Sequence, residues 1–170
     1  MRRLWFIRLF LIAVIVLSAV GLYAAANRNF RTHLTGDEEF PVRVTNAQGQ
    51  AIFQLSKDGS ELSYKLNVAN IDNVVQAHIH LGQPGTNGGI VVFLYGPVPV
   101  GGGPSNGRLA EGTITSADLI NDLAGQPLSA LMAHIEAGNA YVNVHTNDGI
   151  DPINSGPGDF PMGEIRGQID

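Results

Sequence analysis

The chain has 170 residues, with 10 basic and 15 acidic side chains and a formal net charge of −5. This acidic balance disfavours nucleic acid and anionic lipid surfaces as partners. The sequence contains no cysteine, so an exported form would have no disulfides and must be stabilised by its core or by a bound ion.

The N-terminal segment has the pattern of an export signal. It starts with basic residues, carries no charge from Leu9 to Ala26, and ends in three alanines suited to cleavage. We predict a signal peptide over residues 1–26 or, alternatively, an uncleaved membrane anchor through residues 9–26. Both place one domain, residues 27–170, outside the cytoplasm, either secreted or anchored. Removing the three arginines of the first segment leaves seven basic residues against 15 acidic ones, a net charge of −8.

The first part of the domain has the pattern of a β-hairpin. Apolar and polar residues alternate in Gln50–Leu55 and again in Leu62–Val68, and residues 57–60 between them contain Asp-Gly. The continuous apolar run Ile90–Tyr95 is typical of a strand buried on both faces. A loop rich in glycine and proline is expected over residues 96–107.

The second part combines helices and strands. We expect a strand at Leu109–Thr115, the start of a short helix at Ser116–Ile120, and a helix at Leu128–Glu136, whose apolar residues share one face. A last strand, residues 163–169, follows a long loop over residues 147–162. These short strands and frequent turns predict an all-β fold: an antiparallel, Greek-key-like β-sandwich with one or two short helices in a connection.

Two further strands carry a cluster of histidines. Side chains alternate along a strand, so His78 and His80 share one face of Val74–Gly82, and His145 lies on the polar face of Ala140–Thr146. If the two strands are neighbours, three neutral imidazoles converge. Imidazole nitrogens suit Cu²⁺ and Zn²⁺, so these residues are candidate metal ligands.

Two other interpretations concern the same histidines. His33 or an acidic residue is a possible fourth ligand. Alternatively, the three histidines are structural and form hydrogen bonds across strands, with Asn143 and Thr146 as partners.

Several charged residues have both a structural and a functional interpretation. Glu164 and Arg166 share a face of the last predicted strand, where they either form a structural pair or use the guanidinium group to recognise a ligand. We expect Glu38 and Glu39 to be loop acids held by backbone amides. The acids of the 147–162 loop offer oxygen ligands for Ca²⁺, but their spacing is not that of an EF-hand, and a surface loop is the simpler account.

Short motifs in a fixed order carry a family resemblance. They lie at residues 33–42, 49–55, 58–59, 62–64, 77–82, 88–92, 112–119, 137–146 and 163–168. Together they resemble the chordin-domain (CHRD) family over nearly all of the mature chain. The resemblance implies an extracellular all-β domain with no assigned reaction, and a single copy does not imply binding of the growth factors that chordin antagonises. The long loop before the last strand departs from the family pattern.

The sequence lacks a nucleophile elbow, a recognised Ser/His/Asp spacing and a nucleotide-binding motif. We therefore predict a non-enzymatic, extracytoplasmic module for binding, adhesion, or envelope or matrix assembly. Its partner would be an unknown extracellular protein or envelope component, with membrane contact only through residues 9–26. The alternative is a copper- or zinc-binding protein that uses the three histidines. A redox enzyme is a more distant alternative, and no cofactor is certain.

Overall fold

A computed structural model describes residues 28–170, so the predicted signal peptide or anchor lies outside the described residues. The described chain contains eight strands and one α-helix. They are β1 (Asn29–Thr35), β2 (Gln48–Leu55), β3 (Leu62–Asp72), β4 (Val74–Leu81), β5 (Ile90–Tyr95), β6 (Pro104–Ile114), α1 (Leu128–Glu136), β7 (Ala140–Thr146) and β8 (Ile165–Gln168). Within residues 28–170, none of the helices has the length and apolar character needed to cross a membrane.

All eight strands belong to one antiparallel sheet in the order β5-β4-β7-β8-β1-β2-β3-β6. This confirms the predicted all-β antiparallel class. The sheet is continuous and curls until its two outer strands approach each other, so it is nearly closed like a barrel and does not divide into two separate sheets. The Tyr64 hydroxyl on β3 donates a hydrogen bond of 2.7 Å to the Leu94 carbonyl oxygen on β5, across the gap between the two ends of the sheet.

Alternation of apolar residues explains where the core lies. β2 and β3 pair in full register from Leu55 and Leu62 back to Gln48, as expected for the predicted hairpin. Their inward side chains join those of β4, β7 and β8 in one apolar cluster. Members of this cluster include Ala51, Phe53, Leu66, Val68, Ala77, Ile79, Val142, Val144, Ile165 and Ile169.

The helical predictions are confirmed in part. α1 has the predicted bounds, and its buried side chains Leu128, Leu131, Met132 and Ile135 belong to the same apolar cluster. The predicted helix start at Ser116 is only a 3-10 turn, Ser116–Asp118, capped by Thr115 through a capping box. The helix does not continue beyond this turn, because the Ile120 N–H donates a hydrogen bond to the Val91 carbonyl oxygen on β5.

Two strand predictions were wrong in detail. β5 is not buried on both faces, because it lies at the edge of the sheet and the Phe93 side chain is 45% exposed. β6 starts at Pro104, inside the predicted loop, since glycine and proline are tolerated in an edge strand that pairs on one side only. The strand β1 was not predicted, although its apolar residues alternate.

The backbones of β8 and β1 approach each other closely and form a seam between the two halves of the sheet. β8 pairs with β7 on one side, and on the other side it meets β1 through Thr35 opposite Arg166 and two backbone bonds of 2.9 Å between Arg31 and Asp170. A side chain at Gly167 would collide with the His33 carbonyl oxygen and the Thr32 hydroxyl. The seam therefore requires glycine at residue 167.

We expect Gly167→Ala to destabilise the fold by about 1–3 kcal/mol, because the added methyl group forces β1 and β8 apart. The measurement is the free energy of unfolding in urea. Gly102→Ala is the matched control: nothing lies within 4 Å of the methyl group there. The control should change stability by less than about 0.5 kcal/mol. Equal effects of the two substitutions would contradict the proposed close packing.

Candidate metal centre

The sheet brings the predicted histidines together. β4 and β7 are antiparallel neighbours, and their register places His78 opposite Asn143, His80 opposite Tyr141, and His145 opposite Gln76. The side chains of His78, His80 and His145 therefore share one face of the sheet. The apolar side chains between them point to the core on the other face. Both faces of these two central strands are buried.

The three imidazoles are close enough to hold one ion. One ring nitrogen from each of His78, His80 and His145 can be chosen so that all three lie within 4.8 Å of one another. His78 Nδ1 and His145 Nε2 are 3.1 Å apart and form a hydrogen bond across β4 and β7, in which His145 Nε2 accepts. Two nitrogens bound at 2.0–2.1 Å to the same ion are separated by roughly 3 Å, so the three rings would move closer together to bind one ion.

Backbone carbonyls fix the tautomers of two rings. His80 Nδ1 donates to the Gly88 carbonyl oxygen and His145 Nδ1 donates to the Pro161 carbonyl oxygen, each at 2.9 Å. A carbonyl oxygen can only accept, so Nε2 of each neutral ring carries a lone pair. Metal-binding histidines usually have this outer hydrogen bond. Nε2 of His78 and Nε2 of His80 are buried without a hydrogen-bond partner.

The environment keeps the imidazoles neutral, which is the form that binds metal. His78, His80 and His145 are 0%, 8% and 6% exposed. Burial, assisted by the neighbouring histidines, lowers the pKa of His78 to about 3 and that of His145 to about 4. Burial also lowers the pKa of His80, and the charge of Arg166 acts in the same direction. No proton therefore competes for the lone pairs near pH 7.

The other predicted partners of the histidines are engaged elsewhere. The Asn143 amide donates to Glu39 Oε1 at 3.0 Å, and the Thr146 hydroxyl donates to Glu164 Oε2 at 2.7 Å. His33, the suggested fourth ligand, does not join the cluster: its side chain is exposed on β1 and it is absent from the group of convergent ligand atoms among the described residues. The alternation that buries Leu34 turns His33 outward.

Glu164 and Arg166 are buried and do not pair with each other. Glu164 accepts hydrogen bonds from the hydroxyls of Thr45 and Thr146 and from the Gly158 N–H, at 2.6, 2.7 and 2.8 Å. Arg166 donates to the carbonyl oxygens of Thr86 and Gln83. Both side chains therefore hold loops to the sheet.

Arg166 also connects to the histidine cluster through an aromatic ring. Its guanidinium carbon lies 3.4 Å from the centroid of the Tyr141 ring, and Tyr141 stacks on His80 with centroids 4.9 Å apart. Since β7 lies between β4 and β8, Tyr141 is flanked by His80 from one side and by Arg166 from the other. The Tyr141 hydroxyl accepts a bond of 3.1 Å from the Gly88 N–H, next to the carbonyl that fixes His80.

Glu39 is the residue that the sequence interpretation missed. It is not held by backbone amides alone but is buried against the polar face, beside Asn143. The chain passes so close at Gly163 that a side chain there would collide with both Glu39 and Asn143. Burial raises the pKa of Glu39 to about 7, although Arg166 and Arg43 oppose the shift. Its position beside exposed Glu38 gave no signal of burial.

The acids of the 147–162 loop do not converge. The Asp148 side chain accepts a hydrogen bond from the Ile150 N–H and stabilises a turn. Asp159 is buried and accepts two hydrogen bonds from Ser155. Among the described residues, no group of three convergent ligands includes either acid. The loop therefore gives no support to the calcium interpretation.

Glu39 should make stability fall as pH rises. Its pKa is higher in the folded protein (about 7) than in the unfolded chain (4.5), so its stabilising contribution is complete below pH 4.5 and is lost as pH rises through 7. We expect Glu39→Gln to match the wild type near pH 5 and to exceed it at pH 8 by roughly 1–3 kcal/mol. Urea unfolding of metal-free protein at both pH values measures the difference.

Glu38→Gln is the control for this prediction, because Glu38 is exposed next to Glu39. It should show the same difference from the wild type at both pH values. A Glu39→Gln variant whose difference from the wild type does not change between pH 5 and 8 would contradict the raised pKa.

Comparison with known proteins gives one match. The CHRD domain model matches residues 30–169, which cover nearly the whole described chain and all eight strands except the first residue of β1. No curated protein and no solved structure matches the chain. The match over most of its length shows that the chain belongs to the CHRD-domain family.

Proposed function

We propose that this protein is an extracytoplasmic CHRD-domain module that binds one copper or zinc ion between His78, His80 and His145. The role is that of a binding protein and includes no catalytic step. CHRD domains are typically extracellular. The charge-free run from Leu9 to Ala26 supports export of this chain.

The observation that carries this proposal is the convergence of three buried imidazoles, two of which have a ring nitrogen without a hydrogen-bond partner. A buried polar atom that lacks a hydrogen bond costs about 1–3 kcal/mol, and native proteins contain few of them. His78 Nε2 and His80 Nε2 both belong to the same cluster. An ion bound to Nε2 of His80 would remove this cost for that ring, and an ion bound to Nε2 of His78 would do the same there. The hydrogen bond between His78 and His145 leaves both of these nitrogens without a partner.

We expect the full-length chain, purified in mild detergent without a histidine tag, to retain about one copper or zinc ion after loading and desalting. His78→Ala and His145→Ala should each lose the ion, because each removes one of three ligands. Elemental analysis gives the stoichiometry. The ion should also raise the unfolding free energy, by about 2.7 kcal/mol at a free concentration one hundred times Kd.

His33→Ala is the matched control, since it removes an exposed histidine from the same sheet. It should retain the ion. Loss of metal from the control as well, or no retained metal in the wild type, would refute the proposed centre.

A second candidate function, recognition of another component outside the cell, is favoured by an exposed apolar loop. Phe40, Val42 and Val44 are 56%, 60% and 89% exposed. Between them, Arg43 holds the loop in place through a bond of 3.2 Å to the Gly163 carbonyl oxygen and a contact with the Phe160 ring. A rigid loop that presents apolar side chains is typical of a protein-binding site.

Photo-crosslinking in the producing cells tests this second candidate. We expect a crosslinking residue at position 44 to capture one defined partner, because Val44 is the most exposed of these side chains. The control position is 52, an exposed apolar residue on β2. Identical products from both positions, or none from position 44, would count against recognition by this loop.

A further inference from the structure

The proposed metal centre of His78, His80 and His145 contains only neutral ligands. The following inference rests on that proposed function. Its convergent ligand atoms are three imidazole nitrogens, with no carboxylate among the described residues of the group. The nearby buried acids accept hydrogen bonds from other groups: Glu164 accepts two from loops and one from Thr146 on β7, and Glu39 accepts one from Asn143. The ligands therefore supply no negative charge to balance an ion.

The charge next to the site is positive. Arg166 lies against the Tyr141 ring, and that ring stacks on His80. Arg166 is 1% exposed, and its guanidinium group donates to two loop carbonyl oxygens. Any cation at this site is buried beside a guanidinium group without an anionic ligand.

This environment discriminates by ionic charge. The cost of removing an ion from water rises with the square of its charge, so a monovalent ion of the same size bears about one quarter of the cost of a divalent one. Repulsion by Arg166 is likewise half as large for a single charge. Both effects disfavour Zn²⁺ and Cu²⁺ relative to Cu⁺.

The number of protein ligands also favours Cu⁺ over Zn²⁺ and Cu²⁺. Zn²⁺ is nearly always four-coordinate in proteins, and Cu²⁺ prefers a tetragonal set of nitrogen and oxygen ligands. Cu⁺ has a filled d shell and is stable with two or three nitrogen ligands. Aromatic rings surround the cluster: Phe93 packs edge-on against His78 with centroids 4.5 Å apart, and Tyr141 covers His80. These rings restrict the entry of water as a fourth ligand.

We propose that the centre formed by His78, His80 and His145 selects Cu⁺ over Cu²⁺ and Zn²⁺. The ion it takes is therefore a reduced, monovalent copper ion, held by three neutral nitrogens in an aromatic and cationic environment.

The test compares affinities for three ions in the full-length chain. Cu⁺ affinity is measured without oxygen, with ascorbate present, by competition with a coloured Cu⁺ chelator. Zn²⁺ and Cu²⁺ affinities are measured by competition with chelators of known affinity. We expect Cu⁺ to bind at least about one hundred times more tightly than Cu²⁺, which raises the reduction potential of bound copper roughly 120 mV above that of the aqueous ion, at 59 mV per tenfold change.

Substitution of Phe93 tests the cause of the selectivity. Phe93→Glu places a carboxylate beside His78 at an edge-strand position that is 45% exposed, so the fold should tolerate it. We expect it to lower the ratio of Cu⁺ to Zn²⁺ affinity at least tenfold. Ile52→Glu is the matched control, because Ile52 is also 45% exposed but lies on β2. It should leave the ratio unchanged.

The outcomes separate this inference from the proposed function. Binding of Zn²⁺ or Cu²⁺ at one ion per chain, as tightly as Cu⁺ or more so, would keep the metal centre and overturn the selectivity. Equal effects of Phe93→Glu and Ile52→Glu would overturn the electrostatic explanation. Absence of stoichiometric binding by all three ions would overturn both proposals.

Discussion

Burial of β4 and β7 on both faces is the constraint on which the structure depends. One face of these neighbouring strands contributes Ala77, Ile79 and Val142 to the apolar core. The other face carries histidine, asparagine and tyrosine, and it is also inaccessible to solvent. A buried polar face is stable only if its hydrogen bonds are satisfied, and the strands themselves cannot supply all of these partners. The rest of the chain is arranged to supply them.

Three loops provide most of these partners through their backbones. The carbonyls of Gly88 and Pro161 fix two histidine rings, and those of Gln83 and Thr86 accept from Arg166. The loop before β2 contributes Glu39 to the same surface. Long loops usually lie on the surface and vary freely. Here each one is tied to a buried side chain, so loop position and ring orientation are determined together.

Local patterns predicted the elements and the faces of the strands, but not the contacts between distant segments. Alternation correctly placed His78, His80 and His145 on matching faces, because side-chain direction follows directly from strand periodicity. The burial of Glu39 could not be predicted, since it depends on a loop 104 residues away in sequence from Asn143. The exposure of Phe93 depends on the position of β5 at the edge of the sheet, and periodicity contains no information on which strand lies at an edge.

The proposed metal centre and the polar network have different physical origins. Every loop contact described above satisfies a hydrogen-bonding group, and the fold would need them whether or not an ion is bound. The two unpartnered nitrogens of His78 and His80 are different, because protonation would only turn them into buried N–H donors that still lack a partner. Water would need polar partners that the surrounding rings of Phe93 and Tyr141 provide poorly. A cation that accepts lone pairs would meet the requirement directly, which is the physical basis of the proposed ligand set.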